Sequence, residues 1–77
     1  MTEVKVLLDH IDKVQAFNCK VRNSAFEMDL GHGRYTVDAK SIMGIFSLDL
    51  SKPFTLKVYD SEDDKFDLNI IKEYIVE

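Results

Sequence analysis

The sequence predicts an α+β fold in which helices cover one face of an antiparallel sheet. Apolar residues alternate with polar ones in four segments, which is typical of strands with one buried face. In other segments apolar residues recur every three or four positions, as in amphipathic helices. Two closely spaced glycines between neighbouring strand segments indicate a tight hairpin. The predicted order is strand, helix, strand, strand, short helix, strand, helix (βαββαβα).

The first half of the chain contains a strand, a helix and a hairpin. Asp9 is predicted to cap the helix, with Asp12 completing a carboxylate variant of the capping box. The residues of the first strand are Val4, Val6 and Leu8, and the apolar stripe of the helix is Ile11, Val14, Phe17 and Val21. A strand is predicted on each side of the loop Gly31-His32-Gly33. The alternating apolar residues are Phe26, Met28 and Leu30 before the loop, and Tyr35 and Val37 after it.

A short apolar helix is predicted to begin after Ser41, whose hydroxyl can accept a hydrogen bond from the amide of Met43 or Gly44. Gly44 costs a helix roughly 1 kcal/mol relative to alanine, so close approach of another surface or internal packing should require it. The inward side chains are predicted to be Ile42, Ile45 and Leu48, and those on the flank or outside Met43, Phe46 and Ser47.

A strand and a closing helix are predicted for the remaining residues. The polar residues 49–53 form a turn, and Pro53 suits the first position of a strand. Ser61 and Asp64 resemble another helix cap. The inner face of the strand is Phe54, Leu56 and Val58, and the stripe of the closing helix is Phe66, Ile70, Ile71, Tyr74 and Ile75.

Length and composition predict one soluble cytoplasmic domain, residues 1–77. No apolar run approaches the roughly 20 residues of a membrane span, and no secretory leader is recognisable. The single cysteine, Cys19, fits a reducing compartment. The net charge of −4 argues against nucleic acid as a partner, because the basic residues are few and scattered.

No cofactor, metal site or catalytic centre is predicted. His10, Cys19 and His32 are isolated and lack the closely spaced ligand pairs of zinc sites. The carboxylates are assigned to caps and solvent-facing positions, so no matched acid and base can be placed in a cleft. We therefore expect a binding protein rather than an enzyme.

Residues 38–48, with the sequence DAKSIMGIFSL, resemble the regulatory-serine segment of HPr, the phosphocarrier of the bacterial sugar phosphotransferase system. The order of the predicted elements is also similar to that of HPr. The resemblance implies a divergent HPr family member. It also implies an open-faced sandwich, with a four-stranded antiparallel sheet and three helices on one face.

The resemblance also implies roles for particular residues. His10 falls on the position of the histidine that takes phosphate from enzyme I, whereas Asp12 and Lys13 occupy the positions of its arginine and proline. Ser41 matches the serine phosphorylated by HPr kinase. Three residues match the apolar patch that meets enzyme I, sugar-specific acceptors and a catabolite-control regulator, and they are Ile42, Met43 and Phe46.

Three functions are consistent with these residues. Because Asp12 would repel an incoming phosphate, our main hypothesis is a binding and regulatory module with a degenerate phosphohistidine centre. The alternatives are a working carrier that uses His10, and a regulatory phosphoprotein controlled at Ser41. In the plainer alternatives, His10 is an ordinary surface residue, Ser41 is only a helix cap, and the apolar patch is partly buried.

Overall fold

In the computed structural model, which describes residues 1–76, five strands and two α-helices follow one another along the chain. Their bounds are β1 Thr2–Val6, α1 Ile11–Arg22, β2 Met28–His32, β3 Tyr35–Asp38, α2 Ile42–Phe46, β4 Phe54–Val58 and β5 Ile75–Val76. The strands form one antiparallel sheet in the order β3-β2-β4-β1-β5. The predicted α+β class is confirmed, whereas the four-stranded sheet is wrong by one strand.

One face of the sheet is apolar and packs against the helices, and the other is polar. In the central strand β4, Phe54, Leu56 and Val58 are buried, while Lys57 between them is exposed. The buried residues of strands and helices join in one cluster, whose largest members are Phe17, Phe54, Leu8, Met28, Leu30, Ile45, Leu56 and Ile71. The alternation seen in the sequence thus identifies the inner face.

The hairpin between β2 and β3 turns one residue later than predicted. His32 still belongs to β2 and lies opposite Tyr35, so the turn consists of Gly33 and Arg34. Gly33 has a φ of 63°, which favours glycine. Gly31 lies within β2 instead, where an added Cβ would be 3.1 Å from the backbone oxygen of Tyr35.

The predicted closing helix is wrong, because the chain forms two 3₁₀ turns, Leu68–Ile70 and Lys72–Tyr74. Ser61 does accept a hydrogen bond from the Asp64 amide at 3.2 Å, but no helix follows it. The inner residues Leu68, Ile71 and Tyr74 are spaced by three, which matches the three residues per turn of a 3₁₀ helix. Two members of the predicted stripe, Ile70 and Ile75, are exposed or only half-buried.

The fifth strand explains why this segment does not continue as an α-helix. Ile75 and Val76 pair with Val6 and Lys5 of β1, which draws the chain into extended backbone at the sheet edge. The preceding turn is attached to α1, because Lys20 forms an ion pair with Glu73 and its ammonium lies 5.3 Å from the centre of the Tyr74 ring. Sheet pairing therefore competes with helix formation here and prevails.

No helix within residues 1–76 is long and apolar enough to cross a bilayer.

A buried carboxylate, Asp60, connects the end of β4 to the start of β1. Its Oδ2 accepts hydrogen bonds from the Thr2 hydroxyl at 2.7 Å and the Phe66 amide at 3.1 Å, and its Oδ1 lies 3.5 Å from the Met1 amine. The pKa of Asp60 falls from 3.8 to about 2, chiefly because of the Thr2 hydrogen bond; the other two contacts contribute to this lowering, and burial opposes it.

We expect Asp60→Asn to lower the free energy of unfolding at neutral pH, and the deficit to vanish in acid. A carboxylate whose pKa is depressed on folding stabilises the protein fully above its unfolded pKa of 3.8, and this contribution is lost as the pH falls toward about 2. Urea unfolding of both proteins across this pH range measures the difference. A deficit that does not change with pH would contradict this assignment.

Candidate functional site

His10 lies at the N-cap of α1 and is exposed to solvent. Its backbone is extended, and its carbonyl accepts the Val14 amide at 3.0 Å. Its side chain makes no capping hydrogen bond. The predicted cap at Asp9 is therefore wrong, because α1 begins one residue too late for the Asp9 carboxylate to accept hydrogen bonds from the first amides of the helix.

Acidic side chains flank His10 on both sides. Asp9 binds Lys13 through a contact of 3.0 Å between Oδ1 and Nζ. This hydrogen bond is the main reason why the pKa of Asp9 is lowered. Asp12 lies in the first turn of α1. Lys13, the cation closest to His10 in the sequence, is thus already engaged by Asp9, and Asp12 adds a second carboxylate in the first turn.

The other cations of α1 lie at the opposite end of the helix. Lys20 and Arg22 occupy the last turn, and Lys20 is paired with Glu73. At 1.5 Å per residue, Arg22 is displaced from the start of the helix by roughly 16 Å along the axis. Neither residue is placed to supply the missing arginine beside His10.

Ser41 caps α2 as predicted. Its hydroxyl accepts the Gly44 amide at 3.3 Å, and its side chain is exposed. The backbone ahead of it is held in place, since Asn18 of α1 donates to the Lys40 carbonyl at 2.8 Å. Asn18 was not among the predicted residues, although its position among Val14, Phe17 and Val21 places it on the inner stripe of α1.

Gly44 lies where α2 packs closely against the rest of the protein. A Cβ added there would lie 3.3 Å from Cβ of Val37 in β3 and 3.4 Å from the Ser41 hydroxyl. Its missing side chain thus allows α2 to lie directly on β3. Of the two explanations left open, the structure supports a packing glycine.

The α2 surface exposes part of the predicted apolar patch. Met43 is 77% exposed and Phe46 is 37% exposed, whereas Ile42 is half-buried. Ile45 is fully buried, and Leu48 is half-buried against the core, in agreement with their predicted inward positions. Ile11, predicted to face inward, is instead 59% exposed beside His10. α1 packs against α2, and its Asn18 reaches the Lys40 carbonyl just ahead of α2.

We expect Ser41→Ala to lower the free energy of unfolding by about 0.5–2 kcal/mol, because the Gly44 amide loses its acceptor. Urea denaturation measures this change. Ser41→Asn is the matched control, since asparagine caps helices as well as serine does. Equal stability of the alanine variant and the unchanged protein would show that the cap contributes nothing.

Within residues 1–76 no group of three or more His, Cys, Asp or Glu side chains is arranged to hold a metal ion.

No protein-family model matches the sequence, and no curated protein matches it. A crystal structure of HPr (HPr-C-His) from Thermoanaerobacter tengcongensis is similar, with a TM-score of 0.71 and 25% identity. The match covers 94% of this chain and 84% of that one. The chain therefore has an HPr-like fold.

Proposed function

We propose that this protein is a cytoplasmic, non-enzymatic binding module related to the HPr proteins of the sugar phosphotransferase system. It meets its partners through the α2 surface and the adjoining start of α1, and it transfers phosphate poorly or not at all. The observation that carries the proposal is the charge around His10, where Asp9 engages Lys13 and Asp12 stands in the first turn.

The charges around His10 favour a binding role over phosphate transfer. A phosphoryl group carries between one and two negative charges at neutral pH, and a helix N-terminus stabilises such a charge by about 0.3–1 kcal/mol. Asp12 lies in the first turn of the same helix and opposes that charge, and salt weakens its repulsion because the side chain is exposed. Lys13, the cation that could offset this repulsion, is already paired with Asp9.

The proposal is tested by incubating the protein with phosphoenolpyruvate and enzyme I, with an active HPr as the positive control. We expect little or no acid-labile label under conditions in which the control is fully labelled. Rapid labelling that is abolished by His10→Ala would overturn the proposal and establish the carrier function instead.

Binding through α2 is tested separately by titrating the isotope-labelled protein with enzyme I and following its amide resonances. We expect the shifts to concentrate in α2 and the start of α1, and Met43→Ser to weaken binding. Ile70→Ser is the matched control, because Ile70 is also exposed, at 43%, but lies in the 3₁₀ turn Leu68–Ile70. Equal weakening by both variants would contradict this site.

Regulation at Ser41 is the second candidate function, because the hydroxyl is exposed at the start of α2. Phosphate there would be favoured by the helix N-terminus and would add negative charge beside the apolar patch. With ATP and HPr kinase, this candidate predicts acid-stable label that disappears in Ser41→Ala. The partner in that case would be a transcription regulator.

A further inference from the structure

We propose that two copies of this chain associate by antiparallel pairing of their β3 strands, with Thr36 on the two-fold axis. β3 is the outermost strand on its side of the sheet and has β2 as its single neighbour. The unpaired amides and carbonyls of an edge strand can pair with another chain. This contact borders the end of α2 but uses the backbone of β3 and involves neither His10 nor Ser41, so it does not depend on the proposed function.

The hydrogen-bonding pattern identifies the free backbone groups. A two-residue turn joins the opposed residues His32 and Tyr35, and the Ala39 amide donates to the Met28 carbonyl at 3.1 Å. Bonded and non-bonded pairs alternate along an antiparallel ladder, so residues 35, 37 and 39 direct their backbone groups toward β2. Thr36 and Asp38 direct theirs outward. Since the Asp38 carbonyl accepts the Ser41 amide at 2.9 Å, Thr36 offers the free donor and acceptor together.

Pairing about Thr36 makes the strand complementary to itself in charge. In this register Arg34 of each copy faces Asp38 of the other, and both side chains are exposed. Within residues 1–76 Arg34 forms no salt bridge. Oδ1 of Asp38 accepts the Lys40 amide at 2.9 Å, which leaves Oδ2 for the guanidinium. The two-fold axis produces this opposite-charge pair twice.

The same register would place a cation beside two opposed carboxylates. Asp38 lies directly opposite Asp29 of β2, on the polar face of the sheet. Directly opposed like charges destabilise an antiparallel pair. Asp29 receives a hydrogen bond from the Tyr59 hydroxyl at 2.7 Å, whereas Asp38 has no cation bound to it in residues 1–76. Arg34 of the second copy would supply that cation.

On the other face the pairing covers an exposed tyrosine. Tyr35 is 72% exposed, and Val37 and Leu48 line a groove of about 320 Å³ between β3 and the end of α2. In the paired register Tyr35 of one copy faces Val37 of the other. This pair is of the non-hydrogen-bonded kind, in which opposed side chains are closest, so the ring would lie at the mouth of the groove.

The dimer is expected to be weak. β3 has four residues, so two copies bury less surface than the roughly 1,200 Å² of a stable interface. We therefore expect a dissociation constant between micromolar and millimolar. Sedimentation equilibrium of the full chain up to millimolar concentration measures it. A monomer throughout that range would overturn the proposal, and would leave this edge to an extended peptide of another protein.

Two variants at Thr36 test the pairing itself. Thr36→Pro removes the outward amide without removing a bond inside the sheet, so we expect a folded monomer by circular dichroism and sedimentation. Thr36→Val keeps the amide and should still dimerise. A dimer that survives Thr36→Pro, or one that is lost in Met43→Lys instead, would place the contact elsewhere and overturn the proposal.

The charge pairs allow a sharper test by mixing. Arg34→Asp makes both positions acidic and Asp38→Arg makes both basic, so each variant alone repels its own copies. We expect each to raise the dissociation constant roughly tenfold or more. An equimolar mixture should dimerise again, because every acidic position then faces a basic one. A mixture no more dimeric than its components would refute this register.

Discussion

Replacing Asp12 with arginine is expected to raise the rate at which enzyme I phosphorylates His10 by roughly 10- to 100-fold. The substitution removes a repelling carboxylate and adds a planar guanidinium with donors for phosphate oxygens. Losing one such preorganised donor typically costs about 100- to 1,000-fold in rate, so gaining an imperfectly placed one should recover part of that range. Acid-labile label from phosphoenolpyruvate, followed over time, measures the rate.

A graded series separates the contributions to this effect. Asp12→Asn only removes the repulsion. Asp12→Lys also adds a positive charge, but without the paired donors of a guanidinium, so the phosphorylation rate should rise from asparagine to lysine to arginine. Asp63→Arg makes the same charge change in an exposed loop and should leave the rate unchanged. If all the Asp12 variants were as slow as the unchanged protein, charge would not be what limits transfer to His10.

Truncating Phe17 is expected to cost about 3–5 kcal/mol of the free energy of unfolding. Phe17 is fully buried in the core, and its ring meets that of Tyr74 edge to face at 5.8 Å between centroids. The loss has two parts: the apolar contacts of the ring disappear, and a cavity is left between α1 and the 3₁₀ turn Lys72–Tyr74. At ~0.05–0.15 kcal/mol per residue, a chain of this length has about 4–12 kcal/mol in total. Phe17→Ala should therefore lose a large part of its stability.

Urea unfolding with matched m-values measures this loss. The control on the same helix is Ile11→Ala. The Ile11 side chain is 59% exposed, so this substitution should change the free energy of unfolding by no more than about 0.5 kcal/mol. The sequence pattern alone assigns both residues to one inner stripe and so predicts similar losses. Equal losses in the two variants would therefore contradict the burial described here.

Local sequence was sufficient where neighbouring residues decide the conformation. Alternation identifies Phe54, Leu56 and Val58 as the inner face of β4, because side chains of a strand point to opposite sides in turn. The serine cap of α2 was also predictable, since an N-cap hydrogen bond spans three residues. The resemblance of residues 38–48 to the regulatory-serine segment of HPr also implied the HPr-like fold that the structure has.

Distant parts of the chain decided the rest. The C-terminal segment has apolar spacing that suits a helix, but pairing of β5 with β1 draws it into 3₁₀ turns and a strand. The attachment of Asn18 to the Lys40 carbonyl and the exposure of Ile11 likewise depend on how α1 sits against its neighbours. Such contacts join residues far apart in the chain, so no local pattern encodes them.

Local patterns were enough to predict the α+β class, the inner face of the sheet and the cap of α2, because propensity and periodicity act over a few neighbouring residues. Packing between elements was needed to show that Asn18 holds the Lys40 carbonyl, that Gly44 makes room for Val37, and that β3 has an open edge. These features arise when elements pack together. The physical reason is that burial and pairing with distant residues override local preference wherever the two conflict.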